Sequence, residues 1–230
     1  MSRKKKCILA ACAHPDDLEF SCPITVKRLI KKGYDAYYVI VTNGENGFKK
    51  DYKTRKERIA IRKKEQLAAA KMIGVKKVFF LRYKDGFLEY HESLRKTFTH
   101  LIKELKPEIV FSFDPGNQDF TSLNLFHRDH RAAALAFFDA CFAAKNNFIY
   151  PHKSGPHKVD KIFFYGSNKP NHFVNITKDI DFKFSVLSCH KSQFRDFIEF
   201  TKRYKKRISQ QSKKYKYSEA FRVIDVVSLT

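Results

Sequence analysis

Two short polar segments carry residue types that bind metal ions and transfer protons. Residues 14–17 read His-Pro-Asp-Asp directly after an apolar run, and residues 127–130 read His-Arg-Asp-His. Two imidazoles and one carboxylate from these segments would leave one position of a divalent ion open to water, which is the pattern of catalytic zinc. The same donors also suit Fe²⁺ or another divalent ion. The predicted metal ligands are His14, Asp17 and His130.

The other polar residues of these segments fit the remaining tasks of a hydrolysis. Asp16, beside a metal-activated water, could accept its proton as general base. A protonated His127 could stabilise an oxyanion or protonate a leaving amine, and Asp129 could hold that imidazole in the useful tautomer. Each segment alone is more often a turn or a pair of surface residues. The two together, at the ends of two predicted strands, predict a metal site.

Apolar runs that alternate with segments of helical period predict the elements that position the two segments. The first half contains four strand–helix repeats, which are typical of a parallel sheet with helices on both faces. In such a doubly wound α/β fold, neighbouring first and fourth strands would bring the two segments together at the switch point. The predicted strands are residues 7–13, 35–42, 78–81 and 108–113, and the helices are residues 25–32, 54–73, 93–105 and 129–145.

The second half of the chain has a less regular pattern. We expect a single domain over residues 1–230, with the regular half at 1–146 and the irregular part at 147–230. The loop between them is too short to be a convincing domain linker. The expected elements are a loop at 146–160, strands at 162–165 and 173–176, a mostly helical stretch at 180–206 and a last strand at 221–227.

The composition limits the class of protein. The chain has 230 residues, of which 43% are hydrophobic, and this suffices for one sizeable core and excludes a disordered chain. Five cysteines without paired spacing indicate reduced thiols rather than a disulfide framework. No stretch approaches the ~20 apolar residues of a membrane span. We therefore expect a soluble, cytoplasmic protein.

The two polar segments together resemble the motifs of the PIG-L/LmbE-like de-N-acetylases. Glu19 follows the first segment, and the second matches as a His-x-Asp-His motif. The resemblance extends over most of the chain, although the other matches are individually weaker. They are residues 42–47, Arg62 with Glu65, Ala69, Gly74-Val75, Asp85-Gly86, Lys183, residues 190–193 and residues 219–222.

This resemblance implies a Rossmann-like fold and the zinc-dependent hydrolysis of an acetamide, usually on an N-acetylglucosamine unit. It assigns zinc to His14, Asp17 and His130, the general base to Asp16 and the electrophilic imidazole to His127 with Asp129 behind it. Arg62 and Asp85 match positions that contact the sugar in some members of the family. The expected partner is therefore a small N-acetyl sugar conjugate.

Two departures from the family pattern concern the substrate rather than the reaction. Residues 21–24 read Ser-Cys-Pro-Ile where family members usually have a glycine-rich stretch, so the rim of the pocket is expected to differ. Arg128 replaces the proline that the family normally has in its second motif. Its guanidinium could bind an anionic substituent of the substrate or point into solvent, since arginine suits both.

The net charge keeps a different class of function open. Lys and Arg number 46 against 24 Asp and Glu, so the formal charge is +22, and eight of these cations lie in residues 202–216. Such a charge attracts phosphates, but compositional bias explains the net charge equally well, and the run at 202–216 is more typical of a solvated helix face than of a specific nucleic-acid site. We expect no specific nucleic-acid partner, and leave open peripheral contact with an anionic membrane and a homo-oligomer. The alternatives to the sugar deacetylase are a metal hydrolase of another amide and a basic nucleic-acid- or membrane-binding module with a relic metal site.

Overall fold

A computed structural model of the chain describes residues 6–48, 54–117, 123 and 126–226. The strands are β1 (Cys7–Cys12), β2 (Asp35–Thr42), β3 (Lys77–Tyr83), β4 (Ile109–Phe113), β5 (Lys161–Tyr165), β6 (His172–Asn175) and β7 (Ser218–Asp225). The α-helices are α1 (Asp17–Ser21), α2 (Pro23–Lys31), α3 (Arg55–Ile73), α4 (Glu92–Leu105), α5 (Arg128–Ala144), α6 (Ile180–Leu187) and α7 (Phe197–Ile208).

The strands form one mixed sheet in the order β3-β2-β1-β4-β5-β7-β6. The first five strands in this order are parallel, and β7 is antiparallel to both β5 and β6. The doubly wound, mostly parallel α/β sheet is therefore confirmed. Strands β1 and β4 are neighbours, so their carboxyl ends meet at the switch point where such sheets bind ligands.

Helices cover both faces of the sheet because successive side chains of a buried strand point to opposite sides. In β1, Leu9 and Ala11 belong to a core that includes residues of α4 and α5. Ile8 and Ala10 belong to a second core, with residues of α1, α2, α3 and α6. The continuous apolar run at the start of the chain thus forms the centre of a sheet that is buried on both faces.

The two largest corrections to the predicted elements concern helices. The first is α1, which the apolar pattern did not predict and which ends just before Pro23 begins α2. Proline fits the first turn of a helix but lacks the N–H that would continue the preceding one. The second is the stretch at 180–206, which is two helices, α6 and α7, separated by residues 188–196.

Two further features of the described chain concern its cysteines and the length of its apolar helices. All five cysteines are free thiols. Among the described residues, no helix is both long enough and apolar enough to cross a membrane.

The last strand begins three residues earlier than predicted, at Ser218, and Val227 of that prediction lies outside the described residues.

A buried ion pair joins helix α6 to strand β7 of the sheet. Lys183 of α6 lies 3.1 Å from Glu219 of β7, and both side chains are almost completely inaccessible. The same carboxylate accepts hydrogen bonds from the backbone N–H groups of Ile24 and Thr25, in the first turn of α2. The positive end of the α2 dipole and the ammonium therefore both stabilise this buried charge.

Glu219→Ala is expected to lower the free energy of unfolding by about 3–5 kcal/mol, because it leaves the Lys183 ammonium buried without its partner. Urea denaturation measures this change. The matched control is Asp225→Ala on the same strand, where the pair with Lys161 is solvent-exposed and contributes no more than about 1 kcal/mol. Equal losses for the two variants would contradict a stabilising role for the buried pair.

Candidate active site

Three elements bring the predicted metal ligands together at the switch point. His14 lies just beyond the carboxyl end of β1, and Asp17 is the first residue of α1. His130 lies in the first turn of α5, which follows β4 in the chain. Because β1 and β4 are adjacent, the three side chains converge. We call His14, Asp17 and His130 the histidine–aspartate cluster.

The cluster has the dimensions of a metal site. Nδ1 of His14 lies 3.1 Å from Nε2 of His130, and the Asp17 carboxylate lies 3.6 Å from the former and 3.3 Å from the latter. Ligands about 2.0–2.1 Å from a tetrahedral zinc ion would be separated by about 3.3–3.4 Å. The three donor atoms therefore fit one divalent ion, and the cluster could hold a metal.

The second ring nitrogen of His14 faces two carboxylates. Nε2 lies 3.2 Å from Asp129 and 3.0 Å from Asp85. Asp129 is itself fixed, since it accepts hydrogen bonds from the backbone N–H groups of Gly86 and Leu88. Carboxylates in this position keep the proton on Nε2 and leave Nδ1 free for a metal ion.

Asp16 is held in an unusual backbone conformation next to the cluster. Its φ of 101° lies in the left-handed region, which costs a non-glycine residue about 1–3 kcal/mol. Its backbone N–H donates to Oε1 of Gln66, and its carboxylate accepts from the Arg62 guanidinium. Burial raises the pKa of the Asp16 carboxyl, while the charge of Arg62 opposes that rise. The surroundings therefore fix this carboxylate in place and move its pKa toward that of a general base.

His127 caps the N-terminus of α5. Its Nδ1 accepts a hydrogen bond from the backbone N–H of Asp129, so in the neutral ring the proton lies on Nε2. Burial and the neighbouring His14 lower the pKa of His127, which favours that neutral form. A backbone N–H thus sets the tautomer, whereas the sequence pointed to the Asp129 carboxylate, which contacts His14.

The carboxylates around the cluster are held in their ionised form. Burial raises the pKa of the Asp17 carboxyl, but His130 and His14 outweigh burial and hold that pKa well below its ordinary value. The pKa values of Asp85 and Asp129 are also lowered, because contacts with His14 and with backbone N–H groups outweigh burial. Ionised carboxylates among imidazole nitrogens form a donor set for a divalent ion.

The family model for PIG-L, described as GlcNAc-PI de-N-acetylase, matches residues 9–141, more than half of the chain. The chain belongs to the PIG-L family. The match spans both polar segments and every residue of the histidine–aspartate cluster. The family suggested by the two polar segments is thus confirmed.

Named relatives match most of the length of this PIG-L family chain. Diacetylchitobiose deacetylase of Thermococcus kodakarensis is 30% identical over 233 residues, covering 97% of this chain and 85% of the relative. A probable N-acetyl-alpha-D-glucosaminyl L-malate deacetylase 2 of Bacillus anthracis is 27% identical, covering 87% of each chain. The N,N'-diacetylchitobiose deacetylase structure from Pyrococcus horikoshii superimposes with a TM-score of 0.88 at 27% identity, covering 96% of this chain and 85% of that one.

Two of the three predicted substrate contacts line a cavity, and the third does not. A cavity of about 600 Å³ opens onto the histidine–aspartate cluster, and Asp16, His127, Arg62 and Asp85 line it. Arg62 is almost fully buried and its guanidinium contacts Asp16. Arg128 is not among the described residues that line the cavity, and it pairs with the exposed Glu89. The Arg128 guanidinium thus lies against Glu89 at the surface of the protein.

One residue that contacts the site, Gln66, lies outside the motifs that the sequence analysis selected. Gln66 follows Arg62 by one helical turn on α3, so both side chains reach Asp16 from the same helix face. Gln66 also donates to Glu19, whose other oxygen lies 3.4 Å from the fully buried His190. Helical spacing from Arg62 would have identified Gln66. His190 belongs to the family match at residues 190–193, and the fold places it next to Glu19.

Proposed function

We propose that this PIG-L family protein hydrolyses the acetamide of an N-acetylglucosamine-type conjugate and releases acetate and a free amine. The observation that carries the proposal is the histidine–aspartate cluster at the base of an open cavity, with Asp16 and His127 beside it. The names of the relatives support the reaction class, since they are deacetylases of N-acetylated sugars.

In this proposal His14, Asp17 and His130 hold one zinc ion, although their chemistry also suits Fe²⁺. A bound ion would lower the pKa of a water molecule and polarise the acetyl carbonyl. The Nε2 contacts of His14 with Asp129 and Asp85 orient the ring for this role.

The other side chains carry the proton transfers and charge stabilisation. Asp16 accepts a proton from the attacking water, whose oxygen adds to the acetyl carbon. The Nε2–H of His127 donates a hydrogen bond to the oxyanion that forms. Asp16 then delivers its proton to the amine nitrogen as the C–N bond breaks. Arg62 and Asp85 are the proposed sugar contacts at the cavity wall, and Arg128 is left out because it pairs with Glu89.

Asp129→Asn is expected to weaken metal binding by about 10- to 100-fold, because it removes a carboxylate that orients His14. Competition with a chromogenic chelator measures the affinity. Asp139→Asn is the matched control on the same helix, since that carboxylate accepts a hydrogen bond from the exposed Tyr90 hydroxyl. Unchanged affinity in Asp129→Asn would contradict the orienting role.

The substrate class is tested by acetate release from a panel of N-acetylated compounds with zinc added. The panel contains N-acetylglucosamine, its disaccharide, its malate conjugate and N-acetylated peptides that lack sugar. We expect turnover of the sugar compounds only. Turnover of the peptides alone would favour the metal hydrolase of another amide, and no turnover by zinc-loaded protein would refute the proposed reaction.

A further inference from the structure

The cavity continues from the histidine–aspartate cluster to a surface of aromatic rings. Phe20, Phe194, Phe200 and Tyr204 line this part of the cavity, and we call them the aromatic wall. Phe20 follows Asp17 by three residues on α1, so the two side chains share one face of that helix. The wall therefore begins one helical turn from the cluster.

The rings of the aromatic wall pack on one another and on helix α1. The rings of Phe194 and Phe200 have centroids 4.4 Å apart, and Phe200 stacks on Tyr204 at 5.4 Å with an interplanar angle of 17°. The Tyr204 hydroxyl donates to the backbone carbonyl of Phe20, which fastens α7 to α1. Phe20, Phe194 and Phe200 are only partly buried, so part of their ring surface faces the cavity.

A cation lies beside the aromatic wall. Arg207 follows Tyr204 by three residues on α7, is exposed and lines the cavity, with its guanidinium 5.8 Å from the Tyr204 ring centroid. In the part of the chain that the structure describes, no carboxylate forms an ion pair with Arg207. Lys183 also lines the cavity, but Glu219 neutralises it. Arg207 is thus a cation available to an anionic ligand.

We propose that the aromatic wall and Arg207 bind the group attached to the N-acetyl sugar, and that this group has a flat apolar face and carries a negative charge. The inference rests on the proposed deacetylase function, because it places the acetamide at the histidine–aspartate cluster. A cavity of about 600 Å³ has room for a sugar unit together with such a group. Sites of this size combine aromatic walls with a few polar groups that set specificity.

The native protein tests this subsite with a matched series of N-acetylglucosamine glycosides. The methyl, phenyl, 4-carboxyphenyl and 4-(aminomethyl)phenyl glycosides differ only in the attached group. We expect kcat/KM to rise about three- to tenfold from methyl to phenyl, as aromatic contacts of this kind contribute. We expect kcat/KM for the 4-carboxyphenyl glycoside to exceed that for the 4-(aminomethyl)phenyl glycoside by about two- to fivefold. This difference should shrink as salt is added.

Two pairs of variants assign the preferences to residues. Phe200→Leu should lose most of the preference for phenyl over methyl, whereas Phe197→Leu should keep it, because Phe197 packs on the same ring cluster without lining the cavity. Arg207→Gln should lose the charge preference. Arg203→Gln is its control, since Arg203 is exposed on the same helix and pairs with Glu199.

Equal kcat/KM values for methyl and phenyl glycosides would overturn the subsite while leaving the deacetylase intact. Equal values for the two charged compounds would overturn the role of Arg207. If no glycoside releases acetate, the proposed reaction fails instead. Calorimetric binding of the phenyl and methyl glycosides to the native protein then decides the subsite, because tighter binding of phenyl supports it and equal binding refutes it.

Discussion

Asp16→Asn is expected to lower kcat for acetate release by about 10²- to 10⁴-fold, which is the contribution of a general base. The asparagine side chain cannot accept the proton of the attacking water. It retains an oxygen for the Arg62 guanidinium, and asparagine tolerates the left-handed conformation of position 16 better than most residues. The variant should therefore fold and bind metal, and initial rates at saturating substrate measure the loss.

The control for Asp16→Asn is Asp181→Asn, which makes the same change at an exposed carboxylate near Lys205. We expect that control to retain full activity. Metal content is measured on all three proteins, so that a lost ion is not mistaken for a lost base. A metal-loaded Asp16→Asn protein with kcat within about tenfold of the native value would exclude Asp16 as the base.

His130→Ala is expected to abolish stoichiometric metal binding and to lower activity by about 10³-fold, since a bound ion contributes several kcal/mol to the transition state. The ring provides one of three donor atoms, and the two that remain come from His14 and Asp17. The imidazole also stacks on Phe113, with centroids 3.9 Å apart, so the loss of stability is measured as well. Plasma emission spectroscopy of the dialysed protein gives the metal content.

His172→Ala is the matched control for His130→Ala, because His172 is an exposed residue of β6. It should bind metal and turn over substrate like the native protein. A folded His130→Ala protein that keeps a full equivalent of metal would show that the ion binds elsewhere. In that case the histidine–aspartate cluster would not be the catalytic centre.

The regular half of the fold could be predicted because its sequence signals are local. The apolar run of β1 is buried on both faces, and α3 begins at a Thr54–Glu57 capping box and ends at Gly74, which has positive φ. The five-residue helix α1 is too short to show a helical period, so only the structure reveals it. The boundary between α6 and α7 depends on how residues 188–196 pack, which no periodicity encodes.

Part of the candidate site could likewise be predicted from the sequence, and part depends on contacts that only the structure shows. Residue types and spacing suffice to select His14, Asp17 and His130, because adjacent strand ends bring them together. They do not indicate that Asp129 contacts His14, since that depends on the backbone of Gly86 and Leu88. The aromatic wall likewise escapes sequence reasoning because it joins Phe20 to rings more than 170 residues away in the chain.

The most direct test of the central claim is a zinc titration of metal-stripped protein, followed by acetate release from an N-acetylglucosamine conjugate. The account predicts activity about 10³-fold lower without metal and a linear rise that saturates at one equivalent of zinc per chain, with the rise absent in His130→Ala. Full activity in the stripped protein, or the same rise in His130→Ala, would contradict a metal-dependent deacetylase built on the histidine–aspartate cluster.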